Sequence, residues 1–121
     1  MTETFDDLAQ RLAAVGHPTR LRLLALLNAT GEALCVCELS DGLGIPDYQT
    51  SRHLKVLSAA GWVSHQRDGL WIYYRLADTP LLIDLASSLE PLPDDLGRTR
   101  VRLEQRHDGR CVIGPSSQEG K

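Results

Sequence analysis

No stretch of this sequence stays apolar for the ~18 residues that a membrane-spanning helix needs. Its opening residues, "MTETFDDLAQ", are acidic and amphipathic, unlike a secretory signal, so the chain is expected in the cytoplasm. Aromatic residues are scarce, two Trp, three Tyr and one Phe, so Leu, Val and Ala must fill the interior. There is no C-x-x-C, no H-E-x-x-H and no Gly-rich phosphate loop, the usual marks of a thiol oxidoreductase, a zinc protease or a nucleotide enzyme. Cysteines number only three, Cys35, Cys37 and Cys111, an odd set that argues against a disulfide framework in a reducing compartment. The chain also lacks an excess of positive charge: its net charge is −3, which speaks mildly against nucleic acid as a partner.

That charge is unevenly spread. Residues 47–76 hold Arg52, Lys55, Arg67 and Arg75 against only Asp47 and Asp68, with His53 and His65 beside them. A locally basic face on an acidic chain suits a DNA binder whose non-specific affinity is kept low. At 121 residues the chain has room for one domain, expected over 1–107, with the turn-rich "DGRCVIGPSSQEGK", 108–121, as a mobile tail.

Phe5, Leu8, Leu12 and Val15 share one face of a first helix. Pro18 suits the first position of a second, "PTRLRLLALLN", which is apolar on most sides and so expected to be central and buried. Two short helices follow, about 36–43 and 47–60, joined by "GLGIP", the pattern of a helix-turn-helix. Strands are expected over 62–67 and 70–76, with Asp68-Gly69 as the hairpin turn between them. A helix from Pro80 to about Glu90 and a charged amphipathic one in "DLGRTRVRLEQRH" complete the reading. The fold class is mainly α (α+β): a winged helix-turn-helix with a two-stranded β-hairpin wing.

In that fold the second helix of the pair places its N-terminal residues in the major groove. Here these are Gln49, Thr50, Ser51, Arg52 and His53, with Lys55 on the same helix. Gln can pair with adenine and Arg with guanine, while Thr and Ser suit phosphate or the thymine methyl. Arg67, at the wing tip, can meet phosphate. Taken alone, "QTSRHLKVL" reads equally well as a plain surface helix; the preceding short helix and the following hairpin favour DNA.

"CVCEL" opens the first helix of the pair. Cys35 stands at the cap, where Ser, Thr or Asp would serve better, and Glu38 occupies the reciprocal capping-box position. Residues two apart are ~200° apart around an ideal helix, so both thiols can reach one ion only if the first turn deforms. The helix N-terminus also favours thiolate. The plain alternative is that both are small buried hydrophobes.

The segments "PTRLRLL", "SRHLKVLSAAGWV" and "RDGLWIYYRL" together resemble the ArsR/SmtB family of metal- and metalloid-responsive repressors, over about residues 5–90. The resemblance implies a homodimer through terminal helices that leaves operator DNA when its inducer binds. "CVCEL" resembles the "CVCDL" motif of arsenite-responsive and cadmium/lead-responsive members, so Cys35 and Cys37 are expected metal ligands. Many arsenite-responsive members have a third cysteine where this chain has Ser40. Cys111, from the same chain or the dimer mate, or a small exogenous ligand, would then complete the site. No cysteine precedes Cys35, as the cadmium/lead site needs, and "LIDLASSLEPL" offers Asp84 and Glu90 but no histidine for a zinc-type site. Arsenite, As(III), is the expected inducer, with antimony, Sb(III), as the variant. A redox-sensing repressor joining Cys111 to Cys35 or Cys37 is the alternative reading, and a small thiol oxidoreductase is the alternative of another class.

Overall fold

The computed structural model describes residues 4–78 and 80–112. Of the expected tail, 108–121, the structure describes 108–112, where Cys111 is buried; 113–121 lie outside the described residues. Thr4 opens α1 (Phe5–Val15) with a capping box: its hydroxyl accepts the Asp7 N–H at 3.0 Å while the Asp7 carboxylate accepts the Thr4 N–H. The stripe expected to face inward is buried only at its end. Ala14 and Val15 are covered, whereas Phe5 is 92% exposed and Leu12 46%. The periodicity is that of an amphipathic helix, but this chain alone does not cover its apolar face.

α2 (Pro18–Thr30) begins, as expected, with proline at its first position, and His17 Nδ1 accepts the Thr19 N–H at 3.1 Å. Leu23, Leu24, Ala25, Leu26 and Leu27 are all buried, so this helix is covered on every side. Around it pack α3 (Val36–Leu43) and α4 (Asp47–Ala59), the helix-turn-helix pair, with Leu39, Leu43, Leu54 and Leu57 inward. Trp62 is fully buried behind α4 and donates its indole N–H to the Arg11 carbonyl at 2.7 Å, tying the fold to α1.

Three strands form one antiparallel sheet in the order β1-β3-β2. β2 (Val63–Asp68) and β3 (Trp71–Leu76) are the expected wing, but the turn is one residue later than expected. Asp68 pairs with Trp71, leaving Gly69-Leu70 as the two-residue loop. Gly69 has φ +63°, as the hairpin turn with glycine in its first central position demands. The third strand was not expected: β1 (Leu34–Cys35) pairs with Tyr74 and Tyr73 of β3, so the residues just before α3 are anchored to the wing. Two residues are too few to leave an alternation pattern in the sequence. α5 (Pro80–Ser87) and α6 (Pro93–Glu104) close the described chain, α6 lying along α3 and against α2.

Candidate thiol site and nucleic-acid interface

The junction of β1 and α3 places Cys35 as the last strand residue and cap, and Cys37 in the first helical turn. The capping box is reciprocal: the Cys35 N–H donates to the Glu38 carboxylate at 3.0 Å, and the Cys35 sulfur takes the Glu38 N–H. Glu38 is wholly buried and takes both arms of Arg106 at 2.7 Å, while Arg106 also donates to the Ala33 carbonyl. Severing one partner of such a buried pair typically costs ~3–5 kcal/mol, because the other charge is stranded.

Beyond α6 the chain turns at 107–110, where His107 and Arg110 exchange backbone hydrogen bonds, and brings Cys111 back onto the same spot. The Cys111 N–H donates to the Tyr73 hydroxyl at 2.8 Å, and Arg110 Nε lies 3.3 Å from Asp68 at the wing. Cys35 Sγ and Cys37 Sγ are 2.8 Å apart, Cys37 Sγ and Cys111 Sγ 3.3 Å, and all three sulfurs lie within 4.8 Å of one another. All three cysteines are buried, with Trp71 and Tyr73 packed against them. Two sulfurs on one tetrahedral ion with bonds of ~2.3 Å would be about 3.8 Å apart, so the three sulfurs are gathered closely enough to share one ion once the 2.8 and 3.3 Å pairs spread. The donors are purely soft, which fits a thiophilic guest and not a hard cation.

Arg102 lies beside the sulfurs. Its Nη2 donates to Cys37 Sγ at 3.4 Å and Cys111 Sγ at 3.2 Å; its Nη1 donates to the Cys37 carbonyl at 3.2 Å and to Asp41. The Cys37 thiol is pulled down to about 6, chiefly by the hydrogen bond from Cys35 and, against the cost of burial, by Cys111 and the Arg102 cation. Cys35 moves the opposite way, held neutral as the donor to Cys37 and by burial beside Glu38. The site therefore favours the thiolate at Cys37 over Cys35, beside a guanidinium that Asp41 shares.

Ser40, where a third cysteine was considered, is fully buried and donates to the Thr50 hydroxyl at 2.9 Å. That bond joins the two helices of the pair. Thr50 itself faces inward with no exposed surface, and its hydroxyl also donates to the Pro46 carbonyl, so its expected place against DNA is corrected. Arg52 and Lys55 of α4 and Arg67 of the wing are exposed; Gln49, Ser51 and His53 are half-buried. His53 Nδ1 accepts from Arg20 Nε at 3.2 Å and its ring lies 4.6 Å from that of His17. Burial and the nearby cationic groups lower its pKa.

Arg98, Arg102 and Arg106 did not stand out in the sequence. Their i, i+4, i+8 spacing in "RTRVRLEQR" was the available sign, since it puts three cations on one helical face. Arg98 donates to the Gly42 carbonyl at 3.0 Å, so the three grip α3 at Gly42, at Asp41 and Cys37, and at Glu38.

A profile described as a helix-turn-helix domain matches residues 15–65. The chain is 38% identical over 76 residues to an HTH-type transcriptional regulator of Methanocaldococcus jannaschii, covering 63% of this chain and 84% of that one. It is 40% identical over 76 residues to the HTH-type transcriptional repressor SmtB of Mycobacterium tuberculosis, covering 63% of this chain and 55% of that one. An arsenic resistance transcriptional regulator of Pseudomonas putida is 43% identical over 67 residues, 54% of this chain and 52% of that one. The chain thus spans about half the length of the latter two. Among solved structures, HlyU from Vibrio cholerae superposes with a TM-score of 0.61 at 26% identity, over 70% of this chain and 90% of that one. A homodimeric winged helix-turn-helix DNA-binding domain from Mycobacterium bovis superposes with a TM-score of 0.58 at 26% identity, over 84% and 86%. No helix of the described residues is long and apolar enough to cross a membrane.

Proposed function

The chain belongs to the ArsR/SmtB family of transcriptional regulators, and on that premise we propose that it is a dimeric repressor released from operator DNA by trivalent arsenic, or by antimony in its place. The observation that carries this reading is the gathering of Cys35, Cys37 and Cys111 at the entrance of α3, with no His or carboxylate among the candidate ligands. Arsenous acid would exchange its three hydroxyls for three thiols with release of water, which soft sulfur favours. The arsenic-linked name of the Pseudomonas putida relative supports the inducer class, while SmtB among the relatives keeps the family broad.

Dimerisation is supported by the uncovered apolar face of α1, Phe5 and Leu12, and by the homodimeric structural neighbour. A dimer would set its two α4 helices about one DNA turn apart, ~34 Å. Gln49, Ser51, Arg52 and His53 would then address bases and adjacent phosphates, and Lys55 and Arg67 the backbone. Cys35 belongs to β1, which pairs with the wing, and Cys37 to α3, which props α4 through Ser40 and Thr50. Spreading the Cys35–Cys37 and Cys37–Cys111 sulfur pairs from 2.8 and 3.3 Å to the spacing of a shared ion would therefore strain both DNA-contacting parts together. Because binding is dominated by phosphate contacts, a small loss of register between half-sites is sufficient to weaken it.

Mobility shift of an operator duplex with rising arsenite tests the reading, the expectation being release by wild type and retention by Cys35→Ser. X-ray absorption of the loaded protein should count three sulfur neighbours, falling to two in Cys111→Ser; three in both would exclude Cys111. The 3.3 Å separation of Cys37 and Cys111 sulfurs favours one second reading, a redox-sensing repressor in which a peroxide oxidises Cys37 and Cys111 closes the disulfide. Release by peroxide alone, reversed by dithiol, would select it.

A further inference from the structure

The clamp of α6 on α3 meets the thiol site at Arg102. Arg98 grips the Gly42 carbonyl at the C-terminal end of α3, and Arg106 grips Glu38 and Ala33 at its start. Arg102, between them and 6% exposed, divides its guanidinium: Nη1 holds the α3 backbone and Asp41, Nη2 holds the sulfurs of Cys37 and Cys111. Farther along, Asp95 is fixed to Arg22 of α2 by two bonds of 2.8 Å and to Arg98 at 3.1 Å, so α6 cannot slide freely to follow a displaced Arg102.

We infer that Arg102 is the positioning residue that converts occupancy of the three thiols into movement of the helix-turn-helix, because a single guanidinium bonds both the sulfurs and, on α3, the Cys37 carbonyl and Asp41. Sulfurs engaged by a bound electrophile are poorer acceptors than the same sulfurs left free. Nη2 then loses its two sulfur acceptors, and a buried cation deprived of them reorients. Reorientation takes Nη1 with it, since the guanidinium is one rigid plane, and so breaks the contacts to the Cys37 carbonyl and Asp41. α3 is loosened at Cys37 and Asp41, while Arg106 and Arg98 still hold Glu38 and Gly42. Its Ser40 bond to Thr50, one residue from Asp41, carries the loosening into α4.

The inference rests on the thiol-site reading, and the experiment separates the two. Arg102→Lys keeps the charge but cannot span both sets of partners; Asp41→Asn leaves Arg102 in place and weakens its α3 arm. Each variant is compared with wild type, with and without arsenite, by thiol titration, by amide hydrogen exchange over 36–43, and by affinity for a duplex selected from random DNA with ligand-free protein. Wild type should lose on the order of 100-fold in DNA affinity with arsenite, within the usual range of allosteric coupling. Arg102→Lys should protect the same three thiols with arsenite yet change its DNA affinity by less than about 5-fold. Without arsenite, both variants should exchange faster over 36–43 than wild type. Full arsenite-driven release in Arg102→Lys overturns the inference; should that variant not fold, full release in Asp41→Asn does so. Wild-type thiols that ignore arsenite would defeat the proposed function instead, and unaltered exchange over 36–43 in the variants would still overturn the clamp.

Discussion

Gly42→Ala offers a direct measure of how closely α3 and α6 approach. At an ordinary helix interior this change stabilises by about 0.5–1 kcal/mol, because glycine has more backbone freedom to lose. At Gly42 the added Cβ would fall inside the van der Waals envelope of Thr99 Oγ1, 3.3 Å from the Thr99 Cβ and 3.4 Å from Leu26 Cδ1. Thr99 is wholly buried, and its hydroxyl donates to the Asp95 carbonyl at 2.8 Å, so it can yield only by giving up that bond or by pushing α6 outward. Overpacking of this kind costs ~1–3 kcal/mol, and an unmatched buried hydroxyl a further ~1–3 kcal/mol. The steric side wins, for a net loss of about 3 kcal/mol and a Tm lower by roughly 12 °C. Thr99→Ala alone should cost about 1 kcal/mol, yet in the Gly42→Ala background it should restore stability, a coupling of at least about 1 kcal/mol. Urea denaturation followed by the emission of Trp62 and Trp71, at one fixed protein concentration, reads all four corners of the cycle. A Gly42→Ala protein as stable as wild type would refute the close packing and the α6 clamp with it.

Two further expectations concern the thiols and the DNA face. The thiolate absorbance of the ligand-free protein should show one step near pH 6 that Cys37→Ser abolishes. Since the folded value lies below the ordinary 9.0, the stability this thiolate contributes is complete above about 9 and is lost as pH falls through about 6, so wild type should lose more stability than Cys37→Ser on acidification. Lys55→Ala and Arg67→Ala should each flatten the dependence of log affinity on log salt by about one per protomer, whereas Thr50→Ser, buried and hydroxyl-preserving, should leave that slope unchanged.

Much of the arrangement was already written locally. Pro18 at a helix start, five successive apolar residues in α2, the glycine turn between two short helices and the glycine-bearing hairpin each act within a few residues, so the winged helix-turn-helix could be read in order along the chain. The two cysteines of "CVCEL" were equally legible, being two residues apart. What chain order could not decide is which distant groups meet them. Cys111 lies 74 positions from Cys37 and reaches it only because α6 runs back along α3 and the chain then turns onto Tyr73. The arginine spacing predicts a cationic face without saying whether water or a buried carboxylate lies opposite; packing answered with Glu38 and Asp41. Thr50 shows the converse, a residue whose type suits DNA and whose angular position on α4 turns it toward Ser40. Caps, turns and periodicities are short-range and fix the elements, whereas a site assembled from three segments depends on the angles at which those elements pack.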